Sequence, residues 1–574
     1  MARKESGLGL QDVVYNLDVG MGLNILRAAL YIGAVLVLVL LYTATQFKGL
    51  KDADAMDSAQ LGRNLAYGRG YTTYNISPLS MKYMQGVTHG DPKVLSHPEL
   101  TRPPVYPAVL AGVFKLRKSL LVSAPTRGMS VYKPEQYFII PLNNMFSLFT
   151  GLLVYLLGMR LFDKRLGFLA MSIFFLSNVV WASSVSGTDL PLVTFLSVAA
   201  FYSIVLSADT RDAGYPFIKW FLPYLFAAGF CVIAFLTRYG TVFLMPALAF
   251  YVRIRFKEKR WLLTVLFIGL FLAGIAPWLA RNFMLCGKLL GLAPYMVFDD
   301  DGMLLSKFEA SLSVGQFFKG AFFRLWLKNM AGFYNSDIRQ IGAGFMGAFF
   351  LVSFFYSFVR AEVRSLRWSV ALGILLAIIL AGFAGKSAIK LLHVFLPFVI
   401  IYGLAFFFLL LERLQLKFRL LELALISFVV IMSAMPLVFV MLPPRTGFPY
   451  PPYHPPFIAS VSSWMQPTEI ICTDMPWATA WYGDQVSLLL PSDIDEFYKI
   501  NDLTYKISAI YFTTITRDKP FVRTLMIGRY RSWFPVLNGN IPGDFPLSSA
   551  QRLNHYDQLF LTDYPRWEKD LVPK

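Results

Sequence analysis

Leu391 to Leu411 reads LLHVFLPFVIIYGLAFFFLLL, twenty-one residues without an Asp, Glu, Lys or Arg. Crossing the ~30 Å hydrocarbon core of a bilayer takes about 20 mostly apolar residues, so this stretch is long enough to span it. Ten more stretches of the same kind lie at roughly 28–47, 137–159, 166–184, 190–207, 217–236, 240–252, 261–280, 341–359, 368–385 and 420–442, that at 240–252 being short. Composition agrees. Of 574 residues, 56% are hydrophobic and 15% charged, where a soluble domain carries about a quarter charged. The mean hydropathy of +0.53 excludes a disordered chain and speaks strongly against a soluble enzyme. Three cysteines (Cys231, Cys286, Cys472) and five histidines exclude a disulfide framework and a Cys/His-rich metal cage. The sequence therefore predicts a mostly α, polytopic membrane protein of about eleven transmembrane helices.

The formal charge is +18, and its placement gives the expected orientation. One set of short loops carries Arg160, Lys164, Arg165, Arg211, Lys219, Arg253, Arg255, Lys257, Lys259, Arg260, Arg360, Arg364, Arg367, Arg413, Lys417 and Arg419. The opposite set carries Arg238, Lys386 and Lys390. Sixteen against three assigns the first set to the cytoplasm. The N-terminal segment 1–27, with an amphipathic stretch from Gly9 to Arg27, then lies at the inner surface. A multi-pass domain fills 28–442, with an outer first loop at about 48–136 and an outer fourth loop at about 281–340. A Pro-rich linker (443–467) leads to a C-terminal extracytoplasmic unit, 468–574. Strand-like runs at Glu469–Thr473, Val486–Leu490, Ile507–Thr514 and Gln558–Thr562 alternate there with helical segments, which favours a small α/β domain. No glycine-rich phosphate loop follows a strand, so no nucleotide is expected.

The first outer loop opens with Asp52-Ala53-Asp54-Ala55-Met56-Asp57 and runs through Arg63 to Gly68 and Gly70. Acids this close to a membrane boundary are expensive unless partnered, although a helix cap also explains them. Further on, His97-Pro98-Glu99-Leu100-Thr101-Arg102-Pro103-Pro104-Val105-Tyr106-Pro107 leads into an apolar stretch, and the proline pair suits a helix start. Arg102 then stands near the interface, ready for an anion or merely snorkelling.

This block resembles the first loop of the GT-C glycosyltransferases, nearest to the protein O-mannosyltransferase-like family 39 and its relatives, the lipid A aminoarabinose and galacturonic acid transferases. Gly187-Thr188-Asp189-Leu190-Pro191, Leu236-Thr237-Arg238-Tyr239-Gly240 and Ala276-Pro277-Trp278-Leu279-Ala280-Arg281-Asn282 with Gly287 resemble further segments of that family, in the same order and on the same side. The resemblance covers about residues 28 to 300. It implies a GT-C fold and an integral membrane enzyme that moves a hexosyl or pentosyl unit from a polyprenyl-phosphate carrier to an acceptor hydroxyl on the outer face, inverting the anomeric carbon. The acceptor would be a lipid, a glycan or a protein, and an outer face with few cysteines fits a bacterial or archaeal plasma membrane better than an endoplasmic reticulum.

Such a transfer needs a base for the acceptor and cations for the departing phosphate. The resemblance gives the first role to Asp54, whose nine-residue spacing to Arg63 matches the family's first acid, with Asp52 and Asp57 as near alternatives, one of them a cap or support; a carboxylate base is worth about 10²–10⁴-fold. Arg102, Arg238, Arg281, Lys386 and Lys390 are the candidates for the lipid phosphate, because arginine forks suit it. Asp189, Arg63, Glu99, His393 and Tyr106 are candidates for acceptor binding or support. Asp189 also reads as a cap of the helix that follows it, and His393 as a packed side chain. Relatives carry an acid just before the proline pair that can place a metal; Thr101 stands there in this chain. Asp54, Asp189 and Glu99 form an oxygen set that could hold Mg²⁺ or Mn²⁺. Trp477, Trp481, Tyr482 and Asp484 make an aromatic cluster that serves equally as a core. The competing readings are an en bloc oligosaccharide transferase or ligase using a diphosphate-linked glycan, a lipid or polysaccharide transporter or flippase, and a non-catalytic scaffold. A transporter would show inverted repeats and mid-membrane charges; here ionisable residues gather at span ends.

Overall fold

The computed structural model describes residues 21–88, 96–121, 131–297, 304–310, 326–327, 330, 345–384, 390–415, 418–442, 454–517, 530–553 and 558–567. Lys386 and most of the amphipathic N-terminal stretch lie outside the described residues.

All eleven apolar stretches are helical, but not equally. Eight are single helices long and apolar enough to cross a membrane: Leu23–Gln46, Glu135–Leu161, Leu190–Asp212, Phe217–Thr237, Arg260–Cys286, Ala361–Gly382, Lys390–Leu414 and Arg419–Met441. The stretch at 166–184 is a pair, Lys164–Phe175 and Asn178–Val185, bent by 52°. The two remaining stretches are shorter: Leu244–Arg255, entered through the 3₁₀ turn Tyr239–Phe243, and Phe345–Val352 with Ser353–Phe355. The helices Leu190–Asp212 and Lys390–Leu414 are apolar on all sides and form the centre, as expected of segments with no solvated face. Phe201 and Phe398 meet there with ring centroids 4.8 Å apart. Several hydroxyls inside the bundle return to their own helix, as Thr150 does to the Phe146 carbonyl (2.8 Å) and Ser197 to that of Val193 (2.7 Å), which satisfies them without water.

On the face where the first outer loop lies, Ala53–Ala66 is a helix buried along most of its length. Its small residues make this possible: a Cβ on Gly62 would meet Leu110 Cβ at 2.9 Å, so the helix Val105–Leu116 packs directly on the backbone. Pro104 occupies the N-cap position of that second helix, as the proline pair predicts.

Five strands from the C-terminal residues and one from near residue 75 form a six-stranded mixed sheet of β1 (Asn75–Ile76), β2 (Ile471–Thr473), β3 (Ser487–Leu489), β4 (Ala509–Phe512), β5 (Ser549–Leu553) and β6 (Gln558–Thr562), in the order β1-β3-β2-β4-β6-β5. The first four strands in that order pair in parallel, and the pairings with β6 are antiparallel. The four expected strands are present. Two others were not foreseen, and β1 belongs to the segment between the first two spans, which is thereby built into the edge of the C-terminal sheet. Arg63 fastens the same junction. It donates to the carbonyls of Trp481 (2.8 Å) and Ala480 (2.6 Å), pairs with Asp484 (2.8 Å) and lies 5.0 Å from the Trp481 ring centroid. The second half of the expected linker is the helix Pro455–Ser463.

Candidate active site

Asp54 sits in the first turn of Ala53–Ala66, and Asp57 follows one turn later on the same face. Arg102, delivered by the loop ahead of the proline pair, answers both: Nη2 donates to Asp54 Oδ1 at 2.7 Å, and Nε donates to Asp57 Oδ2. Two further segments close the group. Arg238, extended between the helices Phe217–Thr237 and Leu244–Arg255, grips Asp189 through Nη2 (2.5 Å) and Nε (2.9 and 3.0 Å), and its Nη2 stands 3.7 Å from Asp54 Oδ2. Asp189 holds the N-cap position of Leu190–Asp212 without making a capping bond, because its carboxylate is turned to Arg238. Asp54, Arg102, Asp189 and Arg238 line a cavity of about 190 Å³ together with Ser58, Tyr106, Thr237 and Tyr239.

The support is fixed by burial. Tyr106 donates to the Gly187 carbonyl (2.8 Å) and to Asn143 Oδ1 (3.2 Å), while Asn143 Nδ2 donates to the Thr188 carbonyl (2.9 Å). Gly187 adopts φ +74°, and a Cβ there would stand 2.2 Å from Leu50 Cδ2, so this turn requires glycine. Glu99 Oε1 accepts from the backbone N–H groups of Thr101 (2.6 Å) and Arg102 (2.9 Å), and from the Thr101 hydroxyl, which sets the loop that aims Arg102.

The charges shape one another. The Arg102 guanidinium, against the effect of burial and with help from Arg238, holds the Asp54 carboxyl well below the usual carboxylate range. Burial pushes Asp57 the other way, up to about 6, despite Arg102. Burial also opposes the Arg238 charge, but Asp189 and Asp54 outweigh it and keep the guanidinium protonated. The cavity thus presents one accessible carboxylate between two firm cations.

The remaining predicted residues are distributed around this centre. Asp52 pairs with Lys390 at 2.7 Å, at the rim. Arg281 is one layer out: it donates to the Glu99 carbonyl (2.8 Å) and stacks on Trp278, 4.6 Å from its ring centroid. Trp278 in turn donates to the hydroxyl of Tyr239, a cavity residue, at 2.7 Å. His393 lines a separate crevice of about 20 Å³ with Ser147, Thr150, Ser183 and Thr194. Arg63 serves the junction with the C-terminal sheet rather than the cavity. As for a metal, no group of three His, Cys, Asp or Glu side chains converges among the described residues. Asp54 and Asp189 already face guanidinium groups, and Glu99 Oε1 accepts from its own loop, so the expected oxygen set is not gathered at one point. Of the two alternatives to Asp54, Asp57 shares the Arg102 guanidinium with it, whereas Asp52 pairs with Lys390.

No protein-family model matches the chain, and no curated protein matches it by sequence. Solved structures do. The archaeal oligosaccharyltransferase AglB from Archaeoglobus fulgidus, in complex with an inhibitory peptide and a dolichol-phosphate, superposes with a TM-score of 0.54 at 10% identity, covering 87% of this chain and 71% of that one. ArnT from Cupriavidus metallidurans bound to undecaprenyl phosphate gives 0.53 at 10% identity, covering 94% and 98%. A structure of the A. fulgidus oligosaccharyltransferase with zinc and sulfate gives 0.51 at 11%, covering 86% and 69%. The chain therefore has the polytopic GT-C fold with a C-terminal domain, the fold of these membrane transferases.

Proposed function

We propose that the chain is an integral membrane glycosyltransferase that moves a sugar from a polyprenyl-phosphate carrier to an acceptor hydroxyl on the extracytoplasmic face, with inversion. One observation carries this reading: Asp54, Arg102 and Arg238, from three separate segments of a GT-C fold, meet at one cavity. The carrier class follows the ArnT and AglB structures, which hold undecaprenyl phosphate and dolichol-phosphate.

In this reading the donor phosphate enters between Arg102 and Arg238 and draws their donors from the carboxylates, as arginine forks favour a phosphate. Asp54, which both guanidinium groups now hold ionised and weakly basic, regains basicity as they turn to the phosphate. It then accepts the proton of the acceptor hydroxyl. The acceptor oxygen bonds to the anomeric carbon from the opposite side as the bond from that carbon to the phosphate oxygen breaks. The bonding pair leaves with the polyprenyl phosphate, whose charge Arg102 and Arg238 neutralise. Lys390 and Asp52 stand at the rim of this path, and Lys386 belongs to the same outer turn in sequence. By the distribution of basic residues, the N-terminus faces the cytoplasm and the C-terminal sheet lies outside.

The test is transfer in reconstituted membranes with a panel of labelled polyprenyl-monophosphate sugars, diphosphate-linked oligosaccharides and extracted envelope acceptors. Label moving from a monophosphate sugar supports the reading. Label moving from diphosphate donors alone replaces it with en bloc transfer. No transfer from any donor, by protein that binds lipid phosphates, favours a carrier of lipids.

A further inference from the structure

At the end of the bundle away from Asp54, the helices Glu135–Leu161, Ala361–Gly382 and Lys390–Leu414 have termini around a second cavity, of about 350 Å³. Its walls are apolar and aromatic, with Phe162, Tyr356, Phe358 and Phe408 prominent. Phe355 and Val359, beside it in the chain, are 93% and 91% exposed, which suits side chains immersed in lipid rather than water. Four charged residues also line the cavity: Arg165, Arg360, Asp163 and Glu412.

Two of these are already engaged. Arg165 pairs with Glu422 at 3.0 Å and lies over the Phe408 ring, and Asp163 Oδ1 accepts from Leu166 N at 2.8 Å to cap a helix. Arg360 donates through Nη1 to the Leu161 carbonyl (3.2 Å). Neither Arg360 nor Glu412 makes an ion pair among the described residues. One cation and one anion without an ion pair among the described residues thus share an aromatic-walled cavity at the ends of membrane-spanning helices.

We propose that this cavity holds the head group of a zwitterionic glycerophospholipid of the phosphatidylethanolamine type. Arg360, with Arg165 at the rim, takes the phosphate, and Glu412 takes the ammonium. The acyl chains leave along Phe355 and Val359. Basic pockets between transmembrane helices are ordinary lipid head-group sites, and an arginine fork suits a phosphate. Glu412 selects among lipids, because a purely anionic head group offers it no ammonium.

Native mass spectrometry of the full chain, purified in mild detergent and offered equal phosphatidylethanolamine and phosphatidylglycerol, tests this. Wild type is expected to retain phosphatidylethanolamine in preference. Arg360→Ala should lower retention of both lipids by roughly tenfold, the effect of losing one charge-assisted hydrogen bond. Glu412→Gln, a change at an exposed position that keeps the side-chain shape, should lose the preference for phosphatidylethanolamine while thermal unfolding stays at the wild-type value. The assignment is overturned by a wild type that retains both lipids equally or prefers phosphatidylglycerol. It is equally overturned by a Glu412→Gln protein with wild-type preference, or by a folded Arg360→Ala protein with wild-type retention.

Discussion

Arg102 Nη2 donates to Asp54 Oδ1 across 2.7 Å, so the carboxylate best placed to act as a base is held by a cation best placed to bind a phosphate. The two roles compete for one contact, and binding of the donor would exchange one for the other. Asp54→Asn keeps the shape and the hydrogen bond while removing the base. We expect transfer to fall by about 10²–10⁴-fold, with thermal unfolding near the wild-type value. Loss of transfer together with loss of the folded protein would instead make Asp54 structural.

Arg102 also faces Asp57, which is nearly fully buried and whose Oδ1 has no hydrogen-bond partner. Lysine cannot reproduce a fork that turns Nε to one carboxylate and Nη2 to the other. Arg102→Lys should therefore raise the KM for the lipid donor and lower thermal stability. Adding Asp57→Asn should restore part of the stability, because it removes the buried charge left uncompensated, without restoring KM. A double mutant no more stable than Arg102→Lys would separate Asp57 from this network.

The fold was legible in the sequence because burial in lipid imposes a length and a composition that each apolar stretch satisfies separately. The cavity was legible for a different reason. Asp189 and Arg238 lie at span ends, where an ionisable group needs a partner, and Asp54 and Arg102 lie in the segment between the first two spans. What remained hidden depends on long-range packing. Arg63 reads as a site residue by its nine-residue distance from Asp54, yet its partners Trp481 and Asp484 are more than 400 positions away. The strand β1 is two residues long and gains its identity from β3. Glu99 reads as a ligand by residue type, but its own loop supplies the donors that occupy it.

Glu135 shows how the membrane domain and the C-terminal sheet depend on each other. It is fully buried at the start of its span and accepts from Trp481 Nε1 (2.9 Å) and Leu50 N (3.1 Å). Glu135→Ala leaves two buried donors without an acceptor and should cost about 2 kcal/mol or more. Glu135→Gln, which keeps one carbonyl oxygen, should cost less. Limited proteolysis checks the location of the damage: cleavage of the Glu135→Ala protein should rise within residues 454–567. Unchanged cleavage there would place the role of Glu135 inside the bundle alone.

His97 gives the loop a pH dependence of its own. Burial lowers its pKa from 6.5 to about 4, so the folded protein holds the neutral ring that donates from Nδ1 to the Pro98 carbonyl at 2.9 Å. A base with a depressed folded pKa binds fewer protons folded than unfolded across that interval. Its contribution is present above pH 6.5 and is lost as the pH falls through 6.5 toward 4. A shift of that size is worth about 3 kcal/mol. Asp57 acts in the opposite sense over an overlapping window, since an acid raised to about 6 gains stability as it protonates. Thermal unfolding of wild type and His97→Gln between pH 4 and 7 separates the two. The variant should be flatter or rise toward acid where wild type falls, and parallel curves would show that folding leaves the His97 pKa unchanged.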